Sequence, residues 1–284
     1  LLNSTLGNLA ELTIGFFALR AGLVEVVKAS LTGAIIGNIL FVFGMALIVG
    51  GFKSKELKLK KHEAETSSTM LLITVLLLLV PSLLFIFHEE THAGTISVAI
   101  SITLLVLYVC SLLFSLYTHK KLFVSDSHEK PTMKKSHAIL LMLFAVVILL
   151  FAGEMFAGRI EEIAHKLGWG ELFIGAFLVG IAGKAAEHIV ALQFAWKNKM
   201  SLVLNTTIGS SLQVAMFVVP VLVFLSYFTG NFMNLTFLPL EIFAILASVL
   251  LINEIARDGS VNWLEGVQLI LLYIVIGVVF FFYV

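Results

Sequence analysis

Two glutamates, Glu11 and Glu187, stand inside apolar stretches of this chain. They lie in the motifs GNLAE (Gly7 to Glu11) and GKAAEH (Gly183 to His188). Each motif is followed by a stretch of unusual polarity for such surroundings, ASLTGAIIGN (Ala29 to Asn38) and NTTIGSSLQ (Asn205 to Gln213). Two ionised carboxylates balance the charge of one divalent cation, and a hard cation such as calcium takes about six to eight oxygens, amide and hydroxyl oxygens among them. Ser30, Thr32 and Asn38 offer such oxygens after the first motif, and Thr206, Thr207, Ser210, Ser211 and Gln213 after the second. Asn8, Lys184 and His188 adjoin the glutamates and are placed to modulate them. No thiolate or imidazole cluster accompanies the pair, which argues against zinc or copper. The same carboxylate oxygens bind protons, so metal and protons compete for them, and competition is the simplest physical basis for cation/proton exchange. Sodium could compete in the same way, and the site chemistry does not choose between them.

The motifs are copies of one another. Gly7 and Gly183, Ala10 and Ala186, Glu11 and Glu187, Gly33 and Gly209, Phe41 and Phe217, and Val42 and Val218 all keep one separation along the chain. A carboxylate near the middle of a bilayer costs about 2.5–3.5 kcal/mol on insertion scales. A single one could be explained by pairing with a lysine or by a helix–helix hydrogen bond. Two at matching positions of a repeat point to an ion site at the repeat interface. Gly7, Gly33, Gly37, Gly183 and Gly209 would permit close packing or local unwinding there.

The elements that must hold these residues are membrane helices. The chain is 60% hydrophobic and 13% charged, outside the range of water-soluble domains. Apolar stretches fall at about 3–20, 24–51, 69–88, 94–117, 137–158, 170–196, 200–228, 236–254 and 264–284, each near the length of roughly 20 residues that spans hydrocarbon. The expected class is therefore an all-α polytopic membrane protein with nine transmembrane helices. Cys110, the lone cysteine, rules out a disulfide framework. No signal peptide is evident. The chain does not begin with methionine and opens almost on its first motif, so further N-terminal sequence is expected before it.

Alternating the nine segments puts Lys53, Lys55, Lys58, Lys60, Lys61, Lys120, Lys121, Lys130, Lys134, Lys135, Lys197, Lys199 and Arg257 on one side. Only Arg20, Lys28, Arg159 and Lys166 fall on the other. The positive-inside rule makes the first side cytoplasmic, with the basic loops 53–61 and 120–135 there and the C-terminus opposite. The lysine run at 53–61 is expected to set orientation or meet anionic lipid. The glutamates lie on segments one and six, an odd number of crossings apart, so the repeats are inverted. The expected organisation is a first repeat at 1–118, a cytoplasmic linker at 119–136 and a second repeat at 137–284.

His88, Glu89, Glu90, Thr91 and His92 spell HEETH, a formal match to a zinc-protease helix. It sits in a short hydrophilic loop, and the only plausible third ligand region, Asp258–Gly259, falls on the opposite side. Ligands to one zinc cannot come from opposite membrane faces, so a solvated acidic loop is expected and no enzyme activity. Glu154 and Glu241 also lie in apolar runs; for Glu154 a gating role is weighed below simple snorkelling to water near a helix end.

GNLAELTIGFFALRAG with ASLTGAIIGN, and GKAAEHIVALQFAWKNKM with GSSLQVAMFVVP, resemble the calcium/proton exchangers of the cation/calcium antiporter superfamily. The resemblance spans roughly residues 1–52 and 170–228. It implies inverted-topology five-helix repeats in an eleven-helix architecture, whose first two helices would precede this chain. It also implies that Glu11 and Glu187 alternate between calcium and protons, with Asn38, Ser210, Ser211 and Gln213 at polar positions beside them. Two departures stand out. The family usually reads GNAAEH where this chain has Lys184, and commonly serine where it has Ala34. Lys184 precedes Glu187 by one helical turn, so the two can pair, and the lysine could act as a built-in counter-cation. The linker is basic where the family's is often acidic, so no acidic regulatory helix is expected.

The expected activity is antiport of calcium against protons by alternating access, with no cofactor. A sodium/calcium or other cation exchanger of the same fold is the alternative, and a cation channel a more distant one. The partners are calcium, protons and membrane lipid, with a homo-oligomer left open and no nucleic acid.

Overall fold

The computed structural model describes residues 7–87, 92–119 and 135–283. Their helices are α1 (Leu9–Arg20), α2 (Val24–Gly51), α3 (Lys61–Phe87), α4 (Ala93–Thr118), α5 (Lys135–Leu167), α6 (Glu171–Ala182), α7 (Ala185–Trp196), α8 (Met200–Thr229), α9 (Pro239–Asp258) and α10 (Trp263–Phe282). Helices satisfy their backbone groups internally, which hydrocarbon demands. α2, α3, α4, α8, α9 and α10 are each long and apolar enough to cross a membrane, and the bent pair α6–α7 makes a seventh span if counted as one. Within the described residues, each apolar stretch read from the sequence coincides with a helix, the sixth with that pair, which is bent by 60°.

Two boundaries differ from the sequence reading. α3 begins at Lys61 rather than near 69, because its first turns are amphipathic: Lys61 and His62 are exposed while Glu63, Ala64, Ser67 and Ser68 are buried. α5 runs on past 158 into a polar end, where Glu162 pairs with Arg159 at 2.7 Å and with Lys166 at 2.6 Å. Of HEETH, residues 88–91 lie outside the described residues, as do residues 120–134 of the linker.

α2 and α8 form the interior. Along α2, Ile35, Ile36, Ile39, Leu40, Phe43 and Leu47 are all almost fully buried. The outer helices α4, α5 and α10 instead expose side chains such as Val106, Phe144 and Ile274, an apolar exterior suited to lipid. The first half of α2 crosses α6 with backbones nearly touching: a Cβ at Gly33 would overlap the Ala176 backbone. Its second half crosses α10 at Gly44, where a Cβ on the facing Gly266 would lie 2.6 Å from the Gly44 carbonyl oxygen. α5 packs on α1 and α9 on α3, so helices from distant parts of the chain interleave.

The loops gather at two ends. At one, β1 (Leu57–Lys58) pairs antiparallel with β2 (Ser260–Val261), Leu57 opposite Val261, and Lys53 Nζ sits 4.3 Å from the centre of the Trp196 ring. The α2–α3, α7–α8 and α9–α10 loops therefore share an end. At the other, Asn231 Nδ2 donates to the Leu19 carbonyl at 3.0 Å and Lys28 Nζ to that of Thr236 at 2.8 Å.

Candidate cation site

Both glutamates are the third residue of a helix that starts abruptly. α1 starts after Asn8 (φ −100°, ψ 13°) and α7 after Lys184 (φ −117°, ψ 8°), the same position of the repeat in almost the same backbone conformation. Neither starting residue caps its helix with its side chain, and both side chains are buried in the interior. A carboxylate in the first turn also faces the positive end of the helix dipole.

The two glutamates converge on one point, and the Lys184 ammonium sits there. Nζ lies 2.5 Å from Glu11 Oε1 and 3.3 Å from Glu187 Oε2. It donates to Ser210 Oγ at 2.6 Å and to Asn8 Oδ1 at 3.2 Å. Ser210 in turn donates to Glu187 Oε2 at 2.9 Å, and Asn8 Nδ2 donates to Gln213 Oε1 at 2.7 Å. One connected network thus joins α1, α7 and α8 through Asn8, Glu11, Lys184, Glu187, Ser210 and Gln213. The carboxylates are not equivalent: the Glu11 side chain is 9% exposed and that of Glu187 33%. His188, buried, brings Nε2 to 3.3 Å from Asn38 Oδ1, which ties α7 to α2 beside this network.

Other residues of the expected set are held elsewhere. Thr32 donates to Glu241 Oε1 at 2.9 Å. Glu241 spends its second oxygen on the Leu238 backbone N–H, also at 2.9 Å, closing the start of α9. Ser211 donates to the Thr207 carbonyl at 3.0 Å, and Thr206 and Thr207 likewise bond carbonyls of their own helix. Ser30 does the same toward Val27 at 2.8 Å. Glu154 is exposed on α5. Of the glycines, Gly183 marks the break between α6 and α7, and Gly33 is the close-packing one; a Cβ at Gly37 or Gly209 would meet nothing within 4 Å.

Below Asn38 and Gln213 the helices loosen in the same way. Residues Gly37–Val42 of α2 and Val214–Val218 of α8 form π-helical turns at matching places in the repeat. Such turns collect at functional sites, because they leave backbone carbonyls less tightly bonded.

A cavity of about 310 Å³ reaches Gln213 between α3, α4 and α8, with Ser67, Tyr108, Ser111, Asn205 and Gly209 among its walls. Asn205 Nδ2 donates to Glu63 Oε1 at 2.7 Å, while Glu63 Oε2 has no hydrogen-bond partner among the described residues. The sequence reading passed over Glu63, since KHEAETSST reads as loop; the only signal was the spacing of Glu63, Ser67 and Ser68 on one helical face.

Apolar helices around a converging pair of carboxylates, one from each copy of the motif, define a polytopic membrane carrier of cations. The chain belongs to the sodium/calcium exchanger protein family, whose model matches residues 1–117 and 137–282. It is 37% identical to the Ca(2+)/H(+) antiporter ChaA of Bacillus subtilis over 99% of this chain and 82% of that protein. It is 38% identical to a Ca(2+)/H(+) antiporter of Aphanothece halophytica, covering 100% of this chain and 81% of the relative. Among solved structures, the Ca2+/H+ antiporter protein YfkE superposes with a TM-score of 0.86 at 36% identity, over 99% of this chain and 84% of that one. The H+/Ca2+ exchanger CAX shares the fold, with a TM-score of 0.73 at 18% identity over 96% of this chain and 74% of that one. Its family places the chain among membrane exchangers rather than enzymes.

Proposed function

We propose that this chain exchanges calcium for protons across a membrane by alternating access, with Glu11 and Glu187 as the carboxylates that bind either. The observation that carries the reading is their convergence, from two copies of one motif, on a single buried point. Asn8, Ser210 and Gln213 supply the further oxygens, with Asn38 and His188 alongside; among the described residues no three His, Cys, Asp or Glu side chains gather into a metal-ligating group, so amide and hydroxyl oxygens must complete the shell. Calcium/proton antiport is the activity in the names of the Bacillus and Aphanothece relatives.

The architecture we propose is nine membrane crossings arranged as inverted repeats, residues 1–118 and 137–284 about a linker at 119–136. The matched helix starts and matched π-helical turns support the repeat, and the shared end of the α2–α3, α7–α8 and α9–α10 loops supports the alternation. The basic end faces the cytoplasm by the charge rule.

The test is transport in proteoliposomes. An outward-directed proton gradient should drive calcium inward, and Glu11→Gln or Glu187→Gln should abolish the uptake. Uptake that survives in both variants, or that ignores the proton gradient, refutes the mechanism. A sodium gradient run in parallel distinguishes a sodium-coupled exchanger, and reversal of flux by reversing the pH gradient distinguishes an exchanger from a channel.

A further inference from the structure

Lys184 does more than pair with the glutamate one turn away. Its side chain is fully buried, and its ammonium takes oxygens from α1, α7 and α8 at once: Glu11 Oε1 at 2.5 Å, Ser210 Oγ at 2.6 Å, Asn8 Oδ1 at 3.2 Å and Glu187 Oε2 at 3.3 Å. These are the oxygens a transported cation needs. The space left over is small: beside Glu11, the cavity it shares with Ser30, Ala34 and Gly183 holds about 10 Å³, about the room of a single water.

The internal repeat supplies its own comparison. The repeat-mate of Lys184 is Asn8, and that of Ser210 is Ala34. In the second half the Ser210 hydroxyl donates to Glu187. In the first half Ala34 has no hydroxyl to offer, and Glu11 Oε2 has no hydrogen-bond partner among the described residues. The ammonium from the second half reaches across to Glu11 instead. These two departures from repeat symmetry thus meet at one carboxylate.

We propose that Lys184 is a tethered cation: its ammonium fills the seat of the transported ion, and the ion must push it aside to bind. The proposal rests on Glu11 and Glu187 being the transport ligands. An ammonium is a compact charge with three donors on a flexible stem, so it can mimic a small cation and still swing away. With it seated, two carboxylates and one ammonium leave one net negative charge, and the ion-free carrier needs no guest. A divalent ion therefore meets a competitor that is always present.

The experiment compares the wild type with Lys184→Asn, Lys184→Met and Lys184→Arg in proteoliposomes, reading radioactive calcium uptake against calcium concentration at one fixed pH gradient. The Asn and Met variants should lower the half-saturating concentration by about tenfold or more, a difference of about 1.4 kcal/mol; Arg, which keeps the charge, should not. Purified in detergent, the Asn and Met variants should melt earlier in chelator than the wild type and gain more from added calcium. That readout also shows that the variants fold. If the wild type does not carry calcium but Lys184→Asn does, the tethered cation stands and calcium exchange by the native chain falls. If the wild type carries calcium and removing the ammonium leaves half-saturation unchanged or raises it, or if Arg gains as much as Asn, the tethered cation is overturned and calcium exchange stands. If neither the wild type nor the folded variants bind calcium, both are overturned.

Discussion

Ser210 and Ser211 are neighbours that the sequence treats alike, yet one turns its hydroxyl to Glu187 and Lys184 and the other to its own helix at Thr207. Side chains one residue apart on a helix point about 100° apart, so only one of them can face the network. In the Lys184→Asn background, where no ammonium competes, Ser210→Ala removes an oxygen proposed for the ion and should raise the half-saturating calcium concentration by about tenfold or more, since a polar contact with a charged group is worth about 1.5–3 kcal/mol. Ser211→Ala should leave it within about twofold by the same measurement; equal effects would refute the division. The carboxylate pair was legible from the sequence because a charge in an apolar repeat has few explanations. The cross-repeat reach of Lys184 was not. Helical spacing points it only toward Glu187, and its contact with Glu11 depends on how closely α1 and α7 approach. The Thr32–Glu241 bond was hidden for a related reason: Glu241 is remote in sequence and is brought close only by the packing of α9 on α2.

The close crossing of α2 and α6 sets that approach. Gly33 lies so near the Ala176 backbone that a methyl group cannot fit without parting the helices. Gly33→Ala should destabilise the detergent-solubilised protein by about 1–3 kcal/mol, the usual cost of overpacking. Gly37→Ala, where a Cβ meets nothing within 4 Å, should change stability by no more than about 1 kcal/mol. Thermal melts of the two variants check the pair, and equal melting temperatures would contradict the crossing. Apolar runs marked every helix, since composition alone distinguishes a lipid-compatible segment. Their interruptions left no comparable trace. The break at Gly183–Lys184 lies within a stretch that reads as continuous, with no proline to announce it. The π-helical turns at Gly37–Val42 and Val214–Val218 have no residue signature at all; only their recurrence in both copies of the repeat gives them away. The early start of α3 was hidden because polar residues there read as loop, whereas Glu63, Ser67 and Ser68 among them are buried.

At the scale of the molecule, the arrangement predicts which surfaces face the same water. With Cys110 replaced by serine, a cysteine at exposed Lys55 should react with a membrane-impermeant maleimide only in inverted vesicles, and one at exposed Arg20 only in right-side-out vesicles. Labelling of both from one side would refute the alternation of the loops. The small β1–β2 pairing bears on the same geometry. Leu57 and Val261 are both buried where the strands meet, and the strands belong to the loops that join α2 to α3 and α9 to α10. A two-rung ladder of this kind staples two corners together. Any swing that parted those corners would have to strip both apolar side chains into water and break the ladder bonds. These four helix ends therefore travel as one stiff bracket, and the seam along which the carrier opens must run past the bracket rather than through it.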